Sequence, residues 1–214
     1  LVNDNTKLVW VETPTNPMLN IIDIEAASDF AKRHNCLLGV DNTFASPYLQ
    51  NPFDLGADIV MHSATKYLGG HSDICAGAVA ASNEHIGKIW NVAKNLGGSL
   101  SEYTVWLLER SMKTLAIRVK AHNKNAKKIA KWLHQHPLVN QVHYPGLKTH
   151  PSYKLAKKQM KGCTGMLSFE LNESVNSDVF LKSLTLIKPS MSLAGVESTI
   201  LAPSKTSHAL LGEE

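Results

Sequence analysis

The sequence predicts an α/β fold with mainly parallel strand pairing, and three observations point to it. Apolar runs of strand length alternate with stretches of helical period through the first half of the chain. The runs at residues 7–12, 36–41 and 57–63 each end in a polar or acidic residue: Glu12, Asp41 and Ser63. Pro and Asn cluster between the runs, where turns belong, and not inside them.

Taken in order, "KLVWVE" (residues 7–12) reads as a buried strand. "DIEAASDFAKRHN" follows, with Asp23 as N-cap and Ile24, Ala27, Phe30 and Ala31 at helical apolar spacing. "CLLGVD" (residues 36–41) is a second strand and "ADIVMHS" (residues 57–63) a third, after a connection punctuated by Pro52 and Gly56. "AGAVAAS" (residues 76–82) is a fourth. This rhythm sets Glu12, Asp41 and Ser63 at the carboxyl ends of neighbouring strands, where open α/β sheets bind their ligands. Helices are expected over residues 84–96, 102–112 and about 115–136, the last long enough to bridge two bodies. Next come a strand and turn at "VNQVHYPG", a strand at "GMLSFEL", a helix at "VNSDVFLKSL", and a strand with a loop at "LIKPSMSLAGVEST". A boundary near Arg118 divides the chain into a larger first body, residues 1–118, and a smaller α/β second body, residues 119–214.

Composition excludes several function classes. With 43% hydrophobic and 19% charged residues among 214, the chain can bury a sizeable core. Its net charge of +4 is thinly spread. The one dense basic run, "KAHNKNAKKIAKWLH", has Ala126, Ile129, Ala130 and Leu133 at helical spacing and lacks interleaved aromatics, so it reads as a solvated helix face and no nucleic-acid partner is expected. Cys36, Cys75 and Cys163 are odd in number and scattered, which favours free thiols in a reducing compartment, the cytoplasm. The ten histidines show no HExxH or Cys/His ligand spacing, so no metal site is expected. Apolar runs are too short for a membrane span. The chain opens on Leu1 and runs straight into a strand, and it closes on "TSHALLGEE", which reads as a helix under way; both ends read as cuts in a longer polypeptide.

The chemistry gathers around Lys66 in "VMHSATKYLGGHSD" (residues 60–73). A lysine at a strand end with its charge in solvent is the ordinary reading. "SATK" is also S-x-x-K, and with "HSD" and "KTS" at Lys205 it echoes the serine–lysine hydrolases. That chemistry wants its serine opening a helix, whereas Ser63 ends a β-type run, Ile74 replaces the required Asn and Ser207 the required Gly. A third reading makes Lys66 a Schiff-base lysine for pyridoxal phosphate, which demands several parts at once. A carboxylate must face the pyridine nitrogen, and Asp41 at the end of an adjacent strand is the candidate. Hydroxyls must meet the phosphate; Ser63 and Thr65, two apart, share a face in extended chain while Lys66 turns to the other.

"ETPTNP", the whole block from Val40 to Asp73, "YPGL" and "SLAGVEST" resemble the Cys/Met-metabolism family of pyridoxal phosphate enzymes, which includes the cystathionine lyases and synthases and methionine γ-lyase. The likeness runs over nearly all of the sequence. It implies a fold-type-I, aminotransferase-like cofactor domain, a smaller C-terminal domain, and a homotetramer whose paired subunits share active sites. It implies Lys66 as the cofactor-bearing catalytic lysine, Asp41 as the pyridinium partner, and Ser63 and Thr65 at the phosphate. Asn16 would lie beside the ring hydroxyl and substrate carboxylate, and Ser192 would line the substrate side. Glu12 reads equally as an outlying site residue or as a capping acid. The glycine-containing phosphate loop, the ring-stacking tyrosine and the arginine for the substrate carboxylate have no counterpart in these residues. In "KGCTGMLSFEL", a positive φ at Thr164 would store strain of about 1 kcal/mol or more.

The implied activity is carbon–sulfur lysis of a cystathionine- or methionine-type amino acid by β- or γ-elimination. Replacement at Cγ, by a cystathionine γ-synthase or a homoserine-ester sulfhydrylase, uses the same residues. A degenerate member serving as a binding or scaffold subunit is the non-enzymatic alternative, against which the intact set of Lys66, Asp41, Ser63 and Thr65 stands.

Overall fold

The computed structural model describes residues 2–206, so the helix expected in the closing residues lies outside the described residues from Ser207 onward. Four strands build the main sheet in the order β1 (Leu8–Glu12), β2 (Leu37–Asp41), β3 (Ile59–Ser63) and β4 (Gly77–Ala81). β1 pairs with β2 and β2 with β3 in parallel, and Glu12 stands opposite Asp41 in the register. β4 is the exception to the mainly parallel pairing, since it runs antiparallel to β3 from Ile59↔Ala81 to Ser63↔Gly77. The reason is the connection: residues 64–76 are spent on turns and carry no crossover helix, which a parallel return requires.

α1 (Ile24–Arg33) begins where expected, with the Asp23 side chain accepting from the Ala26 N–H. Its Ile24 and Ala31 cover Leu38, Val40 and Val60 of the sheet, forming one apolar cluster. Short α2 (Ser46–Leu49) and a 3₁₀ turn (Pro52–Leu55) fill the β2–β3 connection. α3 (Asn83–Leu96) and α4 (Glu102–Met112) start on the serine caps Ser82 and Ser101.

α5 (Leu115–Leu133) ends three residues before the expected 136, because His136 precedes Pro137 and the residue before a proline is pushed out of the helical region. Its Ala126, Ala130 and Leu133 pack on Val142, Tyr144 and Leu147. β5 (Val139–His143) and β6 (Ser168–Leu171) form an antiparallel pair; in sequence α6 (Tyr153–Gln159) lies between them and α7 (Ser177–Ser183) follows. β7 (Lys188–Pro189) and β8 (Thr199–Ile200) are short parallel partners. Among the described residues no helix is long and apolar enough to cross a membrane.

One contact ties α5 to the turn after β3. The buried Arg118 guanidinium donates to Tyr67 O at 2.8 Å, to Ser111 O at 2.9 Å and to Thr114 Oγ1 at 2.9 Å. Gly70, at φ 67, makes room for it, since a Cβ there would lie 1.8 Å from Arg118 Nη1. Gly70→Ala therefore adds left-handed strain and pushes a buried cation off its acceptors, at an expected cost of about 2–4 kcal/mol. Urea unfolding midpoints of the two proteins check this, and an unchanged midpoint would contradict it.

Candidate active site

The carboxyl ends of β2 and β3 are joined by side-chain bonds. Asp41 is half-buried, and its Oδ1 accepts the Thr43 N–H at 2.9 Å. Thr43 Oγ1 in turn accepts the Ser63 N–H at 2.8 Å, so one threonine holds the last residues of both strands. Asn42 and Gln50 exchange bonds behind this edge, and Gln50 Nε2 reaches Thr13 O, which sets the loop carrying Asn16 against β2. His62 is buried, with no partner at Nδ1 among the described residues; burial pushes its pKa down, while the nearby Asp41 carboxylate pulls it up.

Lys66 sits in a tight turn. Its N–H donates to Ser63 O at 3.0 Å, and the Gly70 N–H donates to Lys66 O at 2.7 Å. The extended geometry expected for Ser63 and Thr65 is thus corrected: Ser63 closes β3, and Thr65 already lies in the turn. The cause is local, because Thr65 Oγ1 accepts the Ala76 N–H at 2.9 Å and donates to Ala76 O at 3.2 Å, pinning the turn to the start of the returning segment. Ser63 Oγ has no hydrogen-bond partner among the described residues, whereas the Thr65 proton is engaged.

Ser192, 126 residues on in sequence, meets Lys66: Nζ lies 3.4 Å from its Oγ. Asn16 is exposed, and no hydrogen bond among the described residues joins it to Lys66 or Asp41; its link runs through Thr13, whose N–H donates to Asp41 O. Its loop is held from the far side by Ser168 Oγ, which donates to Pro17 O at 2.6 Å, and by His150 Nε2 at 3.3 Å from Met18 O. Glu12 is exposed at the end of β1.

Sequence reasoning missed Thr43 and Tyr67, named Arg118 only as a boundary, and marked Thr164 only for its backbone. The polar pair after Asp41 was a visible signal for Thr43. Thr164 does occupy a positive φ, 73°, fully buried, a conformation costing about 1 kcal/mol or more.

A sequence profile describing Cys/Met metabolism PLP-dependent enzymes matches residues 1–214. The chain belongs to this family. Three Cys/Met-metabolism proteins show how evenly its likeness is shared. The cystathionine β-lyase of Lactococcus lactis subsp. cremoris (strain MG1363) is 46% identical over 212 residues, 99% of this chain and 56% of that protein. The cystathionine γ-synthase of Mycobacterium leprae (strain TN) is 43% identical over 210 residues, 97% of this chain and 54% of that protein. The crystal structure of cystathionine γ-lyase from Lactobacillus plantarum complexed with L-serine superposes with a TM-score of 0.95 at 44% identity, covering 99% of this chain and 56% of that one. The chain thus spans little more than half the length of these relatives.

The described residues fit the family's cofactor. Lys66 has no carboxylate within ion-pair distance among the described residues, so its amine is not tied up in a salt bridge. Asp41 spends Oδ1 on Thr43, which leaves its second oxygen able to accept from a protonated ring nitrogen. Ser63 offers an uncommitted hydroxyl on the neighbouring strand end.

Proposed function

We propose that this chain supplies the cofactor-binding core of a pyridoxal phosphate-dependent carbon–sulfur lyase acting on cystathionine- or methionine-type amino acids. The observation that supports it best is the contact of Lys66, three residues beyond the strand end that Thr43 ties to Asp41, with Ser192, 126 residues away, in a family whose relatives named above are cystathionine enzymes. Lys66 would hold the cofactor through Nζ, Asp41 would face the pyridine nitrogen, and Ser63 would meet the phosphate. Thr65 would join Ser63 there by exchanging its donated bond to Ala76 O for one to the anion, while still accepting the Ala76 N–H. Asn16 would lie beside the ring hydroxyl and the substrate carboxylate, and Ser192 on the substrate side. When bound, the cofactor supplies an electron sink for a negative charge developing at the substrate Cα. Lys66 Nζ takes the α-proton, and Ser192 Oγ, within hydrogen-bond reach, orients the amine.

The division at Arg118 into a cofactor domain, residues 1–118, and a smaller domain, residues 119–214, is part of the same proposal, as is a homotetramer with shared sites. Supporting the assembly, α3 and α4 leave Trp90 60%, Leu96 81%, Tyr103 65% and Trp106 54% exposed, more apolar surface than a lone chain favours. A cytoplasmic home fits the three free cysteines.

γ-Replacement remains the second reading, favoured by the comparable identity to a γ-synthase. Two measurements test the proposal. Borohydride reduction of the holoenzyme is expected to fix pyridoxyl mass on Lys66, and mass on another lysine, or on none, defeats it. Given cystathionine, the enzyme is expected to release ammonia, a 2-oxo acid and a thiol, with homocysteine marking β- and cysteine marking γ-cleavage. Formation of cystathionine from an activated homoserine ester and cysteine, without any oxo acid from cystathionine or methionine, would establish the synthase instead.

A further inference from the structure

The residue after Lys66 is anchored on two sides. Tyr67 is 2% exposed, its carbonyl is held by Arg118, and its ring lies 5.8 Å from that of His122. Its hydroxyl accepts the Gly165 N–H at 3.1 Å and lies 3.2 Å from Thr164 Oγ1. The direction of that last bond follows from counting protons. Thr164 Oγ1 is 2.6 Å from Phe44 O, an acceptor only, so the single Thr164 proton points there. The Tyr67 hydroxyl must then donate to Thr164. Burial pushes the Tyr67 pKa up, which keeps the phenol a donor. Gly165 permits the approach, since a Cβ there would meet Tyr67 Oη at 2.8 Å and His122 Cβ at 2.6 Å.

The hydrogen bonds run from Tyr67 through Thr164 to Phe44. Phe44 directly follows Thr43, which holds both Asp41 and Ser63, while Tyr67 directly follows Lys66. We propose that Tyr67 and Thr164 are positioning residues, a two-hydroxyl relay through Thr164 that fixes the Lys66 turn relative to the Asp41 loop. Resting on the reading of Lys66 and Asp41 given above, the relay extends it by explaining why a left-handed threonine is kept: the hydroxyl has two acceptor–donor partners to satisfy at once, and glycine would satisfy neither. Tyr144 Oη, 3.4 Å from Thr164 O, holds the same residue by its backbone.

The test uses the holoenzyme. Thr164→Val keeps the branched shape and the left-handed strain and deletes only the hydroxyl, Thr164→Ser restores it, and Tyr67→Phe removes the other member. Thr164→Val and Tyr67→Phe are each expected to lower kcat roughly 10- to 100-fold with KM little changed, as slight misplacement of a reacting group does. Both should displace the pH midpoint of the bound cofactor's visible band, Thr164→Ser should return both readouts toward wild type, and the double variant should be no worse than the poorer single. A variant that loses only thermal stability, with kcat and band unchanged, overturns the relay and leaves a packing role. Additive losses in the double variant overturn it too. Should Thr164→Val fail to fold, Tyr67→Phe decides by the same readouts. Borohydride labelling of the wild type separates the two levels: absence of label from Lys66 overturns the parent reading and this one together, whereas label on Lys66 with inert variants overturns this one alone.

Discussion

Lys66→Ala is expected to retain its fold and lose turnover by roughly 10³-fold or more, because the variant lacks both the amine that would hold the cofactor and the base for the α-proton. The fold should survive because the turn is built from main-chain bonds that alanine keeps: the N–H of residue 66 to Ser63 O, and the Gly70 N–H to the carbonyl of residue 66. Only the 3.4 Å contact with Ser192 is lost from the side chain. Lys66→Arg is the informative companion, since it preserves a positive charge of similar reach while the guanidinium neither condenses with an aldehyde nor accepts a proton near neutrality. Arginine should therefore be as inactive as alanine. If either variant turned over within a factor of ten of wild type, Lys66 would be an ordinary surface-end lysine and the site would lie elsewhere.

The regions read correctly from sequence are those where one physical signal dominates. "CLLGVD" is a buried apolar run too short for a helix and ended by an acid, and β2 occupies Leu37–Asp41. Asp23 was readable as a cap because a short acceptor side chain before an amphipathic stretch has few other uses, whereas Ser82 and Ser101, which cap α3 and α4, were not singled out. Strand direction was not legible at β4, since alternation specifies a face and not a sense. Nor was α6 (Tyr153–Gln159), in which Ala156 is the one buried residue and no side-chain cap marks the start.

The site divides along the same line. Lys66, Asp41 and Ser63 fall at strand ends or just beyond, so local pattern finds them, and Ser192 entered only through the resemblance, its meeting with Lys66 being tertiary. Thr65 was placed on the wrong geometry because its bonds to Ala76 depend on where the chain returns after Asp73. Thr164, Tyr67 and Arg118 act through contacts across 50 to 120 residues, for which no local spacing carries a trace.

Asp41→Asn is the second substitution with a large expected effect, and the structure makes it a clean one. Asparagine keeps the Oδ1 acceptor for the Thr43 N–H, so the strand end and the Thr43 bond to Ser63 should persist. What changes is the other position, where a donating amide replaces an accepting oxygen. A donor facing the ring nitrogen favours its unprotonated form, and the ring then stabilises charge at the substrate Cα less well. His62 does not make up the loss: burial pushes its pKa down and the Asp41 carboxylate is the foremost opposing influence, so removing the charge drives the imidazole further toward neutrality. Turnover should fall on the order of 10²- to 10³-fold, as when a preorganised charge partner is removed from a developing ion. Exchange of the substrate α-proton with solvent isolates the step that depends on Asp41, free of any slow product release. Cofactor measured after dialysis should stay bound to a folded protein while that exchange slows in proportion to turnover. Exchange at the wild-type rate in Asp41→Asn would mean that some other group keeps the ring nitrogen protonated, and Asp41 would then be left with the task of closing the β2 edge through Thr43.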